Sequence, residues 1–276
     1  MVVPSARIEM NRIVSGLFWL SLVSVMAFIT LPLIVVIAAS LSPSSQVTLV
    51  PWEWTVRWYG DLVNRRWLDP FVLSAQIAVL VSLVSGVLGL LAAYVVAFEK
   101  CPGHATIMSF LLSPLAVPQI VKGVAIVLFL SSAGLYRWVG TPGLIAAHII
   151  LTLPFAVRMI ATAMFNFDKN LDRAGQSLGA SKAQRIRHLL LPIIKPGVFS
   201  GMTFAFIISF NNIPLSVFLV RPGETTLPIT VINYLEYSLD PVLAAVNVAS
   251  LLFVLAVIFV FEKIGGFSAQ IHGGSK

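Results

Sequence analysis

The stretch Phe167–Gly197, FDKNLDRAGQSLGASKAQRIRHLLLPIIKPG, is the one long polar segment set between two very apolar runs. It reads as two short helices with a corner between them. The first is predicted over roughly Lys169–Leu178, and Gly179 stands where a left-handed C-cap glycine belongs. Ser181 opens the second helix, and Gln184 three residues later completes a capping-box spacing. Pro192 and Pro196 punctuate its far end before the next hydrophobic run. On the first helix Leu171, Ala174, Gly175 and Leu178 follow the i, i+3, i+4, i+7 spacing and line one side. Lys169, Arg173 and Gln176 fall on the other. Small residues on a basic helix allow close approach of a soluble partner; the same pattern also suits a solvated helix lying on a bilayer surface.

The flanking sequence decides the class. Of 276 residues, 58% are hydrophobic and only 11% charged, and the mean hydropathy is +0.95. Soluble domains carry about 25% charged residues, so this chain belongs in a bilayer. The single cysteine, Cys101, excludes intrachain disulfides and multi-cysteine metal sites. The net charge of +7 and pI near 9.9 would suggest nucleic acid in a soluble protein. Here the basic residues sit in loops, where membrane topology accounts for them and no nucleic acid is expected. The sequence contains no phosphate-binding Gly-x4-Gly-Lys-Ser/Thr loop, no His-Glu-x2-His and no Gly-x-Ser-x-Gly. No catalytic constellation is present, and the chain reads as a non-enzyme.

The predicted fold is an all-α integral membrane protein of about six transmembrane helices in a single membrane domain, residues 1–276. The spans are expected near 14–39, 71–98, 105–130, 143–165, 198–220 and 242–261, with the polar loop at 168–197. The first apolar run is too long for a signal-peptide core and is read as a retained span. Trp52, Trp54, Trp58, Tyr59 and Trp67 follow it; they suit a membrane–water interface, or packing within their own loop. The run 71–98 has no charge and exceeds what a ~30 Å hydrocarbon core needs at ~1.5 Å per residue, so it tilts or extends past the bilayer. Gly86 and Gly89 on it allow close helix packing. Pro114 and Pro118 predict a kink in the third span.

Six spans put both termini on one side. With that side cytoplasmic, its loops hold Arg7, Arg12, Lys100, Lys169, Arg173, Lys182, Arg185, Arg187, Lys195, Lys263 and Lys276. The opposite side holds Arg57, Arg65, Arg66, Arg137 and Arg221. Eleven against five places both termini and the polar loop in the cytoplasm.

The pattern Ala-Gly-x3-Gly-x9-Leu-x-Leu-Pro, ending at Pro192, resembles the "EAA" loop of the membrane subunits of ATP-binding-cassette (ABC) importers, Glu-Ala-Ala-x3-Gly-x9-Ile-x-Leu-Pro. Ala174, Gly179, Leu191 and Pro192 match in type, and Gly175 and Leu189 are conservative. Arg173 stands at the motif's glutamate, with Asp172 just before it. Asp172 is the acid that could stand in, although it lies ~100° around the helix from that position. Ser113–Pro118, His148–Phe155, Ser209–Leu219, Thr226–Pro228 and Asp240–Ala245 are similar to the spermidine/putrescine-type branch of these permeases. The likeness runs over about 57–261.

The resemblance implies a type I ABC-importer permease fold in a bacterial inner membrane. It also implies a second homologous permease, two ATPase subunits below and a periplasmic solute-binding protein above. The loop would be a coupling helix, with Leu171, Asp172, Arg173, Ala174, Gly175, Leu178, Gly179, Ala180, Leu191 and Pro192 facing or shaping the ATPase contact. ATP and Mg would be held by the partners, with no cofactor on this chain. The branch carries polyamines and related small amines, but also aminophosphonates, opines and iron.

Candidate path residues are Asn211, Asn212, Lys122 and Gln119. Amides beside Pro214 need a wet cavity or a helix partner, so Asn211 and Asn212 either line a solute path or bond between helices. Lys122, an intramembrane cation, contacts solute, pairs with the second permease or snorkels. Arg158 is expected to snorkel or brace the loop, and His148 to be a satisfied packing residue. A secondary transporter or channel would need an ion-coupling acid in a span or an internal repeat; the acids here lie in loops or at span ends. An intramembrane enzyme would need paired catalytic groups. The orientation is checked with reporters: fusions after His104 and Ser181 are expected in the cytoplasm and one after Pro222 in the periplasm. A periplasmic signal after Ser181 would overturn it.

Overall fold

The structure, a computed structural model, describes residues 5–44, 53–98 and 103–266, with side chains left aside at 5–13 and 104–105. Trp52, Glu99, Lys100, Cys101 and Lys276 lie outside the described residues. Among those described the chain is helical, with a single isolated bridge between Arg221 and Glu224 in place of strands. The helices are α1 (Ser5–Ser40), α2 (Arg57–Asp61), α3 (Arg65–Phe98), α4 (His104–Leu112), α5 (Gln119–Ser132) and α6 (Thr141–Phe165). They continue with α7 (Lys169–Ser177), α8 (Lys182–Arg185), α9 (Leu191–Phe210), α10 (Leu227–Leu235) and α11 (Pro241–Gly265). Five helices are long and apolar enough to cross a membrane, and a bent pair makes a sixth if it counts as one span.

The chain divides into two compact units, residues 1–64 with 237–251 and residues 65–236 with 252–276. In the first, the end of α1 is tied to the following segment. Ser40 Oγ and Tyr59 OH share a hydrogen bond of 2.8 Å, Trp58 Nε1 donates to the Ser42 carbonyl at 2.7 Å, and Thr55 N donates to the Leu41 carbonyl at 2.8 Å. Trp58 is thus anchored within its loop, while Trp54 stays exposed.

The second unit is built on α3, α6 and α9. Their contact is made by residues without bulk. A Cβ on Gly89 would lie 3.1 Å from Ala156 Cβ, and one on Gly201 would lie 3.2 Å from Ala156 Cα and from its carbonyl oxygen. Gly197 meets Ala163 in the same way one turn along. In apolar surroundings helix association draws on such close packing and on interhelical hydrogen bonds rather than on hydrophobic burial. Both are present: Ser82 Oγ donates to the Met202 carbonyl at 2.7 Å, and Ser85 and Thr152 hydroxyls share a 2.8 Å bond. Phe71, Phe206, Phe210 and Phe253 pack ring against ring beside them, with centroids 4.9 to 6.0 Å apart. Trp67 is buried edge-on against Tyr234 at 5.2 Å rather than left at an interface.

Three span boundaries differ from expectation. The second span starts at Arg65, with Pro70 inside it, because the Arg-Arg-Trp-Leu-Asp segment continues the helix outward. The third is not a kinked helix but a break: 106–116 and 119–132 meet at 98°. Pro118 has no N–H to give the Pro114 carbonyl, and it holds Val117 in an extended conformation (ψ 130°). The fifth does not run to 220. It begins upstream, in a helical stretch that runs from Lys182, and ends at Phe210. Ile213 precedes Pro214 and is steered out of the α region, so the chain turns through 211–215 into a short 3₁₀ turn at Ser216–Phe218.

Gly201→Leu would wedge α9 from α6, an overpacking cost of ~1–3 kcal/mol. The expected result is a lower melting temperature in detergent, with Gly16→Leu, where nothing lies within 4 Å, unchanged. Equal melting temperatures for the two variants would refute the close contact.

Candidate functional site

The loop between α6 and α9 folds as the capping pattern predicts. Asp168 is the N-cap of α7, its Oδ1 accepting from Asn170 N at 2.8 Å. Gly179 adopts φ +81°, a left-handed conformation that costs an L side chain ~1 kcal/mol or more. Ser181 and Gln184 form the reciprocal capping box of α8. Residues 186–190 make a π-helical turn that leads into Pro192 and α9. Such a turn inserts an extra residue into the ladder and is frequent at functional sites.

One residue that the motif did not flag ties the loop together. Arg185 Nε donates to Asp172 Oδ1 at 2.8 Å, and Arg185 Nη1 donates to the Ala180 carbonyl at 2.8 Å. Its side chain is only 15% exposed, against 42% for Asp172. A Cβ on Gly175 would lie 3.0 Å from Leu189 Cδ1 and 3.2 Å from Arg185 Cδ. Gly175 and Asp172 therefore face the second helix of the loop. The glycine thus serves a close approach inside this chain. Asp172 is engaged by Arg185. The outward side carries Asn170, Arg173, Ala174 and Ser177, all exposed, flanked by Leu171 at 44% and Leu178 at 87% exposure. Beneath the loop, Tyr94, Phe98, Phe167, Asp172, Lys182 and Arg185 line a small recess.

At the other end of α9 the candidate path residues come together in part. Asn212 is buried. Its Nδ2 donates to Gln119 Oε1 at 2.7 Å, and its Oδ1 accepts from Leu215 N at 3.2 Å and Ser216 Oγ at 3.4 Å. The side chain thereby replaces helix bonding where Pro214 ends it. Ser216 Oγ shares a 2.9 Å bond with His148 Nε2, and His148 Nδ1 shares one of 2.8 Å with Ser209 Oγ. Thr152 Oγ1 bonds the His148 carbonyl at 2.8 Å and reaches Ser85. The hydrogen-bonded chain thus joins α5, the 211–218 turn, α9, α6 and α3. His148, 1% exposed, is the satisfied packing residue expected. Ser209, Ser216, Thr152 and Ser85 complete this hydrogen-bonded chain, and Asn212/Ser216 and His148/Thr152 carry the i, i+4 spacing.

Lys122 Nζ donates to the Pro114 carbonyl at 2.8 Å. That carbonyl is the one Pro118 leaves without an N–H partner, so the ammonium braces the 98° bend. Asn211 is exposed, its Nδ2 donating to the Ile207 carbonyl at 3.1 Å. Arg158 lies apart on α6, on the turn that supplies a carbonyl to Thr162 Oγ1 at 2.9 Å. No group of three or more His, Cys, Asp or Glu able to hold a metal occurs among the described residues.

The described residues thus form a helical membrane bundle with a capped helix–turn–helix loop and a broken helix pair. Residues 85–264 match the family described as "Binding-protein-dependent transport system inner membrane component", and the chain belongs to it. It is similar to the putrescine transport system permease protein PotI of Escherichia coli (strain K12), 27% identical over 221 residues and 78% of each chain. It is also similar to the spermidine/putrescine transport system permease protein PotC of the same strain, 25% identical over 92% of this chain and 93% of that one. Its fold is that of type I ABC-importer permeases: a solved bacterial ABC transporter involved in import of the acidic polysaccharide alginate matches with a TM-score of 0.69 at 16% identity, covering 95% of this chain and 98% of that one.

Asn212→Leu would strip partners from the Leu215 amide, Ser216 and Gln119 at a cost of ~1–3 kcal/mol for each buried group left unpaired. It is expected to lower the yield of monodisperse protein on size-exclusion chromatography. Asn211→Leu is expected to leave yield unchanged, so its effect on uptake reports on the path alone. Full yield from Asn212→Leu would remove the structural role assigned to this amide.

Proposed function

We propose that this chain is one of two homologous permease subunits of an ATP-driven importer for a polyamine or related small amine. The match of 85–264 to inner-membrane components of binding-protein-dependent systems is the observation that carries this reading. The solute class rests on the two polyamine permeases that align with 78% and 92% of the chain. Lys122 keeps its charge while its ammonium is held at the Pro114 carbonyl, so it weighs against a polycation and toward a smaller amine within this class. In this reading both termini and the 168–197 loop face the cytoplasm, as the Lys/Arg bias supports. A periplasmic binding protein delivers solute on the other side, and two ATPase subunits dock on the loops. ATP and Mg stay on those partners.

The mechanism follows from how the loop is built. Closure of the ATPases on ATP displaces α7. The Asp172–Arg185–Ala180 contacts and the Gly175–Leu189 approach make the loop move as one body. The motion enters α9 through the 186–190 turn, and the spans rock between inward-open and outward-open states.

The test is reconstitution in proteoliposomes with the second permease, the ATPases and the binding protein. ATP-dependent uptake of radiolabelled putrescine or spermidine is expected, with no flux through this chain alone. Uptake of an aminophosphonate instead would move the solute class, and ATP-independent flux by the lone chain would overturn the reading.

A further inference from the structure

The outward face of α7 is cationic where the family motif is acidic. At ~100° per residue, the inward contacts of Asp172 and Gly175 put the middle of the free face between Arg173 and Ala174. Arg173 is exposed, and its Nη1 donates to Asn170 Oδ1 at a long 3.5 Å. Lys169, one turn earlier on the same side, is exposed too. The acids of the loop are Asp168 and Asp172. Asp168 is committed at the N-cap and Asp172 to Arg185. Nothing in the loop neutralises Arg173, which stands next to Ala174 on a face that a partner would desolvate, with the 87% exposed Leu178 at the C-cap of the same helix. A guanidinium taken from water without a carboxylate is costly, and the cost is removed when the opposing surface supplies one.

We infer that the ATPase subunit that docks on this loop presents a carboxylate to Arg173, so that the ionic contact runs with charge inverted relative to the motif's glutamate. This rests on the docking reading above. The inversion makes the loop selective: a subunit whose groove is basic, built to receive an acid, meets Arg173 as a like charge and is rejected.

The test uses the whole transporter in nanodiscs and its own ATPase subunits, with attachment measured as a function of salt. Arg173→Gln is expected to weaken attachment roughly tenfold and to flatten its salt dependence. Arg173→Glu is expected to weaken it about a hundredfold, and Arg173→Lys to retain most of it. Exchanging ATPase carboxylates one at a time for lysine should then yield one variant that restores attachment to Arg173→Glu. Unchanged attachment and salt dependence in Arg173→Glu, or the absence of any restoring site, overturns the proposal. Leu178→Asp separates the two layers. If it weakens attachment while Arg173→Glu does not, docking stands and the charge assignment falls. If neither does, the docking reading itself falls.

Discussion

The close approach of α3, α6 and α9 is the constraint on which the rest depends. Ala156 is met from one side by Gly89 and from the other by Gly201, and no side chain separates the backbones. Water gives no driving force between helices whose surroundings are as apolar as themselves. Contact distance and a few hydroxyl-mediated bonds must supply the association, and α9 must therefore present glycine and small residues at a fixed register. Both candidate sites are attached to the ends of this helix.

At the N-terminal end the helix is continuous, through a π-helical turn, with a loop held by one arginine. Arg185 bridges α7 and the corner after it. At the C-terminal end the helix stops in apolar surroundings, which leaves backbone groups that must find partners inside the protein. Asn212 takes the Leu215 amide and reaches Gln119, and Ser216 and His148 extend the bonding to α6. The break after Pro114 is answered by the Lys122 ammonium. Asn212, Gln119 and Lys122 thus supply bonds at two broken helices. Among the candidate path residues, Asn211 is left at the surface.

α9 is therefore a shaft of ~30 Å between a braced loop and a buried polar chain. Under the proposed function, a push on α7 reaches the Asn212 turn without passing through a flexible joint. The same geometry explains the small residues of the loop: Gly175 lets Arg185 and Leu189 close on α7, and Gly179 turns the chain.

The membrane class, the helical content, the capping of the loop and the position of Gly179 were legible in the sequence, because each follows from local rules: hydropathy over a window, Ser-x-x-Gln spacing and a glycine at a left-handed turn. The family likeness was legible too, since the loop motif has fixed spacing. What only the tertiary structure decided was direction and partnership. Helical spacing grouped Gly175 with Leu171, Ala174 and Leu178, but Arg185, a residue 13 positions from Asp172, rotates that group so that Gly175 faces inward and Arg173 outward. Spacing likewise placed Asn212 in the middle of a span, whereas Pro214 ends the helix before it. Long-range hydrogen bonds such as Asn212 to Gln119 leave no periodic trace, because they join residues brought together by the close packing of helices rather than by the repeat of one.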